Sequence, residues 1–102
     1  DYDRERGKSF DTFCPVGPAI ATGLDPHNLH LEIRMNGRIV QSADTKNLLF
    51  KVDQIVSFIS RVMTLLPGDL IATGTPGVGP MKKGDVVEIE IEGIGILKNF
   101  VS

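Results

Sequence analysis

A chain of 102 residues with 41% apolar and 24% charged side chains is one small domain, able to form a core but only marginally self-sufficient. Its net charge of −2 leaves no basic footprint for nucleic acid, and no apolar run approaches the length that spans a membrane. The charged first ten residues do not read as a signal peptide, and the single Cys14 cannot close an internal disulfide, which points to a reducing, cytoplasmic setting.

In chain order, residues 1–8 read as a polar lead-in, and an opening without Met in a charged stretch is what a start cut from a longer polypeptide would show. From Phe13 to Thr22, small and apolar residues with Pro15 and Pro18 predict irregular chain or an edge strand, since proline cannot donate to a ladder. Asp25-Pro26-His27-Asn28 is a turn. Leu29, Leu31, Ile33 and Met35 alternate with His30, Glu32 and Arg34, the period of a half-buried strand. Asn36-Gly37 then predicts a hairpin into Arg38–Gln41, because both central residues of that turn need positive φ. Ile55, Ile59, Val62, Met63 and Leu66 recur at helical spacing, with Val56 and Phe58 widening the stripe. They predict one amphipathic helix over about 53–66, capped by Asp53 and stopped by Pro67-Gly68-Asp69. A short strand is expected at Leu70 to Thr73, before the glycine-rich run Gly74 to Gly79. Lys83-Gly84-Asp85 turns the chain into a strand where Val87, Ile89 and Ile91 alternate with Glu88, Glu90 and Glu92. Gly93 and Gly95 predict a bulge or bend, and a last strand runs from about Ile96 to Val101. The fold class is α+β, with mostly antiparallel strands and one packed helix.

Several motifs invite chemistry, and each has a plainer reading. The loop Thr73-Gly74-Thr75-Pro76 pins a hydroxyl between a Gly and a Pro at a strand end, which is how a rigid scaffold presents a polar group to a small ligand. Its plain reading is a tight connection. It lacks the Lys-Ser/Thr ending of a phosphate loop, and although Gly7-Lys8-Ser9 has that ending, Tyr2 stands where the leading glycine belongs. Lys8 is a solvated lysine or, if partly buried by Ser9 and Phe10, a cation facing an enolate or carboxylate oxygen. His27 and His30 point to opposite faces of extended chain and are not expected to share a metal. Cys14 reads as a buried, inert thiol. Glu88, Glu90 and Glu92 share one strand face, most simply a solvated one.

An ordered set of motifs carries a resemblance. It comprises Gly7-Lys8-Ser9-Phe10-Asp11-Thr12 with Cys14-Pro15, then Asp25-Pro26, Asn36-Gly37 with Gln41, and Asn47-Leu48-Leu49-Phe50. Met63-Thr64-Leu65, Pro67-Gly68-Asp69, Thr73-Gly74-Thr75-Pro76, Gly84-Asp85-Val86-Val87-Glu88 and Glu92-Gly93-Ile94-Gly95 complete it. Over residues 1–102 the chain resembles the C-terminal half of the fumarylacetoacetate hydrolase family catalytic domain. The resemblance implies a mixed β-sandwich roll, a homodimer or higher homo-oligomer, and a small 2-oxo acid bearing a further carbonyl as substrate. The reaction would be hydrolysis of an acylpyruvate, isomerisation of a hydroxy-dienedioate or decarboxylation, with Mg²⁺ or Mn²⁺ chelating the carboxylate and 2-oxo oxygens. Lys8 matches the family lysine beside the metal and substrate oxygens, Thr75 the residue that hydrogen-bonds the oxo-acid end, with Gly74 beside it, and Thr12 a position near a second cation in some members. The family's metal ligands, a Glu-x-Glu pair and an Asp, lie upstream of the lysine, so no metal ligand is assigned in this chain. Glu88 and Glu90 have the spacing but follow Lys8 and are not carried over. The loop after Pro76 is one residue shorter than the usual pattern. The alternative is a truncated, catalytically dead domain serving as a dimerising or binding module.

Overall fold

The computed structural model describes residues 8–75 and 79–102. Its frame is one four-stranded sheet. Strand β1 (His30–Met35) and strand β2 (Arg38–Asp44) are followed by a single 3-10 turn at Thr45–Asn47. Helix α1 (Val52–Val62), β3 (Val86–Ile91) and β4 (Gly95–Phe100) come next. The strands lie in the order β2-β1-β3-β4, and every pairing is antiparallel. One helix on an antiparallel sheet is the α+β class that the periodicities predict. No helix among the described residues is long and apolar enough to cross a membrane.

The hairpin between β1 and β2 turns at Asn36 and Gly37 with φ of 54° and 82°, the left-handed pair that the Asn-Gly signal demands. At Gly93 the expected bend is a full reversal joining β3 to β4. Its φ is 78°, and a Cβ placed there would stand 2.9 Å from a Leu24 methyl, so conformation and space both require glycine.

The two hairpins are locked together at one end of the sheet. Asp85, 8% exposed, is the single buried residue among those described. Its carboxylate accepts from the Lys82 backbone N–H at 2.9 Å and from the Asn36 side-chain amide at 3.0 Å. The Asn36 carbonyl oxygen in turn accepts from the Val86 N–H at 2.9 Å. The turn residue that follows β1 is therefore tied to the start of β3, which explains why Asn as well as Gly stands in that turn.

Four expectations are corrected. Helix α1 begins after Lys51, whose N–H donates to the Gln54 side chain at 2.9 Å, and Asp53 lies inside the first turn rather than capping it. The helix ends at Val62, four residues early. Met63 is extended (φ −144°, ψ 153°), and the Asp69 carboxylate takes the Leu66 N–H at 2.8 Å, so a turn over Leu66–Asp69, centred on Pro67-Gly68, stands where the last helical turn was expected to end. The apolar stripe is not a core. Ile55 and Ile59 are half-buried, while Phe58, Val62, Met63 and Leu66 are exposed, and the helix packs only sparsely on the sheet. Finally, residues 70–73 form no strand, because no neighbouring strand within the described residues offers them a ladder.

The pleat sorts side chains cleanly. Leu31, Ile33, Ile89, Ile91 and Leu97 share one face. His30, Glu32, Arg34, Glu88 and Glu90 share the other. No apolar side chain among the described residues is fully buried. The apolar face is lined by residues 14–18 and 70–75 and by α1 without being closed.

Candidate active site

Thr73, Gly74 and Thr75 line an open depression of about 390 Å³ on the apolar side of the sheet. Leu31 of β1 and Ala43 of β2 form its floor, and Leu48, Phe50 and Ile55 approach from the α1 side. Gly74 has φ of 103°, with no heavy atom within 4 Å of where a Cβ would stand. Backbone conformation rather than crowding therefore demands glycine here. The next residue is thereby turned so that its hydroxyl meets the sheet. The Thr75 Oγ1 donates to Gln41 Oε1 on β2 at 3.1 Å. A hydroxyl anchored on a strand, above an apolar floor, is a fixed polar point in an open hollow and can orient a small polar ligand there. Pro76 and Gly77, also part of the loop motif, lie outside the described residues.

Lys8 is exposed and is not among the residues that line this depression. Of its two readings, the exposure fits the solvated lysine rather than the partly buried cation, and Gly7 beside it lies outside the described residues. The segment after Lys8 is nonetheless shaped. Phe10 and Phe13 set their rings 5.4 Å apart, the Phe13 N–H donates to the Phe10 carbonyl, and Thr12 takes a left-handed φ of 66°. Such a backbone costs on the order of 1–3 kcal/mol for a threonine. Cys14 is exposed, not buried. It sits beside a second open groove, of about 310 Å³, where Leu70, Ile71 and Ile89 form apolar walls without a lid.

On the opposite face the titratable groups gather. The Arg34 guanidinium donates to Glu90 at 2.9 Å and to Glu32 at 3.2 Å. His30 lies between Asp44, 2.9 Å from Nδ1, and Glu32, 3.1 Å from Nε2. The hydrogen bond with Asp44, then that with Glu32, raises the His30 pKa above its ordinary value. Asp85 is shifted the other way. The Lys82 N–H, and after it the Asn36 amide, hold its carboxyl below the usual range. His27 lies in a turn and faces Asp25 and Asp53, so the two histidines serve different carboxylates, though not through the alternation of an extended chain. No group of three or more His, Cys, Asp or Glu among the described residues is arranged to hold a metal ion.

Two features escaped the sequence reading. The acidic residues of β3 are not a bare solvated face but half-buried neighbours of Arg34 and His30. The signal existed, since both strands alternate charged with apolar residues, but it acts only once β1 and β3 pair. The link from Thr75 to Gln41 spans 34 positions and has no local signal.

The described geometry has close counterparts. The family model described as fumarylacetoacetate (FAA) hydrolase C-terminal matches residues 1–102. The mitochondrial oxaloacetate tautomerase Fahd2a of Rattus norvegicus is 48% identical over 106 residues, which is 93% of this chain and 34% of that protein. The crystal structure of 2-hydroxyhepta-2,4-diene-1,7-dioate isomerase from Mycobacterium marinum superposes with a TM-score of 0.90 at 58% identity, covering 94% of this chain and 38% of that one. Maleylpyruvate hydrolase from Sphingobium sp. SYK-6, in complex with manganese(II) and pyruvate, superposes with a TM-score of 0.89 at 42% identity, covering 98% of this chain and 39% of that one. The chain thus spans well under half the length of these relatives.

Proposed function

The chain belongs to the fumarylacetoacetate hydrolase family, and from that premise we propose that it supplies part of the site of a divalent-cation-dependent hydrolase or isomerase. The substrate class is a 2-oxo acid bearing a further carbonyl, of the acylpyruvate or hydroxy-dienedioate type. The observation that carries this reading is the Thr75 hydroxyl, anchored to Gln41 over an apolar hollow behind the positive-φ Gly74. Relatives that hydrolyse, isomerise and tautomerise such acids share this part of the fold.

Thr75 would donate its hydroxyl proton to the substrate carboxylate, and the backbone at Gly74 would hold that hydroxyl in place. Lys8 would approach the 2-oxo oxygen with its ammonium group and favour the enolate that forms as a carbon–carbon bond breaks or a proton shifts. Mg²⁺ or Mn²⁺ is the fitting cation for an oxygen-rich chelate, and a relative holds manganese with pyruvate. The described residues of this chain form no ligand set for it.

The test is turnover of maleylpyruvate and of a hydroxy-dienedioate, with Mg²⁺, with Mn²⁺ and with chelator. Metal-dependent turnover of either acid is expected, and turnover unaffected by chelator would overturn the reading. The open apolar face also favours homo-oligomers, since large uncovered patches tend to be buried by a second copy. Light scattering at micromolar concentration should report at least a dimer, and a monomer would count against it.

A further inference from the structure

We propose that Gln41 is a positioning residue that sets the direction in which Thr75 donates its proton, and that the β-bulge at Val40 is the device that delivers it. The inference rests on the proposed function above. The register carries the second half of it. Arg34 lies opposite Ile39 and Ile33 opposite Gln41, so Val40 is an extra residue with no counterpart on β1. Without that extra residue Ile33 would face Val40, and Gln41 would fall opposite Glu32. A slip of one residue sends a side chain to the other face of the sheet. Gln41 would then join the carboxylates of Glu32 and Glu90 and could not reach Thr75. With the bulge it shares a face with Ile33 and Leu31, on the side where Thr75 stands, and the 3.1 Å hydrogen bond follows. Bulges commonly re-aim one side chain in this way.

The first half follows from donor counting. In the structure Thr75 donates to the Gln41 oxygen. A carboxylate only accepts, so to bind it Thr75 must give that same proton to the ligand. An amide can accommodate the change. By turning over, Gln41 presents its NH₂ to the Thr75 oxygen, keeps the hydroxyl anchored, and leaves the hydroxyl proton for the acid. A carboxylate at position 41 could not do so. It has no donor while ionised, would compete for the Thr75 proton, and would set a negative charge beside an anionic ligand.

The experiment compares Gln41→Glu and Gln41→Leu in the protein, alone and with Thr75→Val, by steady-state kinetics on maleylpyruvate across pH, with melting curves to confirm folding. Gln41→Glu should raise KM about tenfold or more near neutral pH, the scale of one charge-assisted hydrogen bond, with kcat changing less. That defect should shrink as pH falls toward the carboxyl range, where a protonated Glu regains a donor. Gln41→Leu should raise KM without that pH dependence and should add nothing on top of Thr75→Val. A folded Gln41→Glu whose KM equals that of the wild type, or follows the Leu variant at every pH, overturns the inference while leaving the proposed function standing. An inert wild type overturns the proposed function and this inference with it.

Discussion

The two faces of one sheet meet opposite fates. The polar face closes on itself: Arg34 is paired with Glu90 and Glu32, and His30 with Asp44 and Glu32, all within the three strands β1, β2 and β3. The apolar face, with Leu31, Ile33, Ile89, Ile91 and Leu97, lies under open hollows, and none of its side chains is fully buried. The difference is one of range. A hydrogen bond or ion pair is satisfied by one cross-strand neighbour about 5 Å away, whereas burying an apolar face takes a second layer about 10 Å off. The candidate site lies on the uncovered face, where a hydroxyl on a strand-anchored loop is the polar exception in an apolar hollow.

If that asymmetry is functional, damage on the open face should cost activity, and damage on the closed face should cost stability. The largest loss is expected from Lys8→Met and Thr75→Val. In the proposed reaction each removes one group that would face developing or fixed negative charge, and kcat/KM on maleylpyruvate should fall about 100-fold or more while melting curves barely move. A Thr75→Val enzyme with full activity would remove the site from this face. Gly74→Ala should come next. A side chain at φ 103° forces the backbone to shift, and a displacement near 1 Å at Thr75 is enough to lower kcat/KM by roughly tenfold to a hundredfold. The same kinetic assay reads it.

On the closed face the effects are smaller and appear in stability against pH. The folded His30 pKa is raised, so its contribution is fully present below the ordinary histidine value of about 6.5 and is lost as pH climbs through the raised value. His30→Gln should therefore flatten the fall in Tm as pH rises from about 6.5 through the raised value, with turnover untouched. A variant with the wild-type slope would show that the His30 bracket does not form in solution. Asp85 has the reverse sign. Its pKa is depressed, so its contribution holds above the ordinary carboxylate range and fades as pH falls through the lowered value. Asp85→Asn should lower Tm by several degrees at neutral pH and remove part of the acid-side slope, as circular dichroism melts would record.

Local chemistry made much of the frame legible. Asn36-Gly37 announces its hairpin because few residues accept two positive φ values in succession, and the alternations of β1 and β3 announce a half-buried sheet. Helix α1 is legible as an element but not in extent, since Asp69 captures the Leu66 N–H from three residues downstream. Residues 70–73 look like a strand by composition and are not one, because a strand exists only where a neighbour pairs with it. Thr75 and Gly74 stand out through the loop motif, and Lys8 through its setting, but no spacing along the chain reveals that Gln41 lies under Thr75.

By itself the sequence determined the turns, the period of each strand and the presence of one amphipathic helix, because these depend on φ preferences and side-chain alternation over a few residues. Only the tertiary structure decided that Arg34 and His30 would be enclosed by carboxylates, that Asp85 would lock two hairpins, and that Val40 would bulge to turn Gln41 toward Thr75. Those outcomes depend on which strands become neighbours and in what register, and register is a property of paired chains rather than of any one segment.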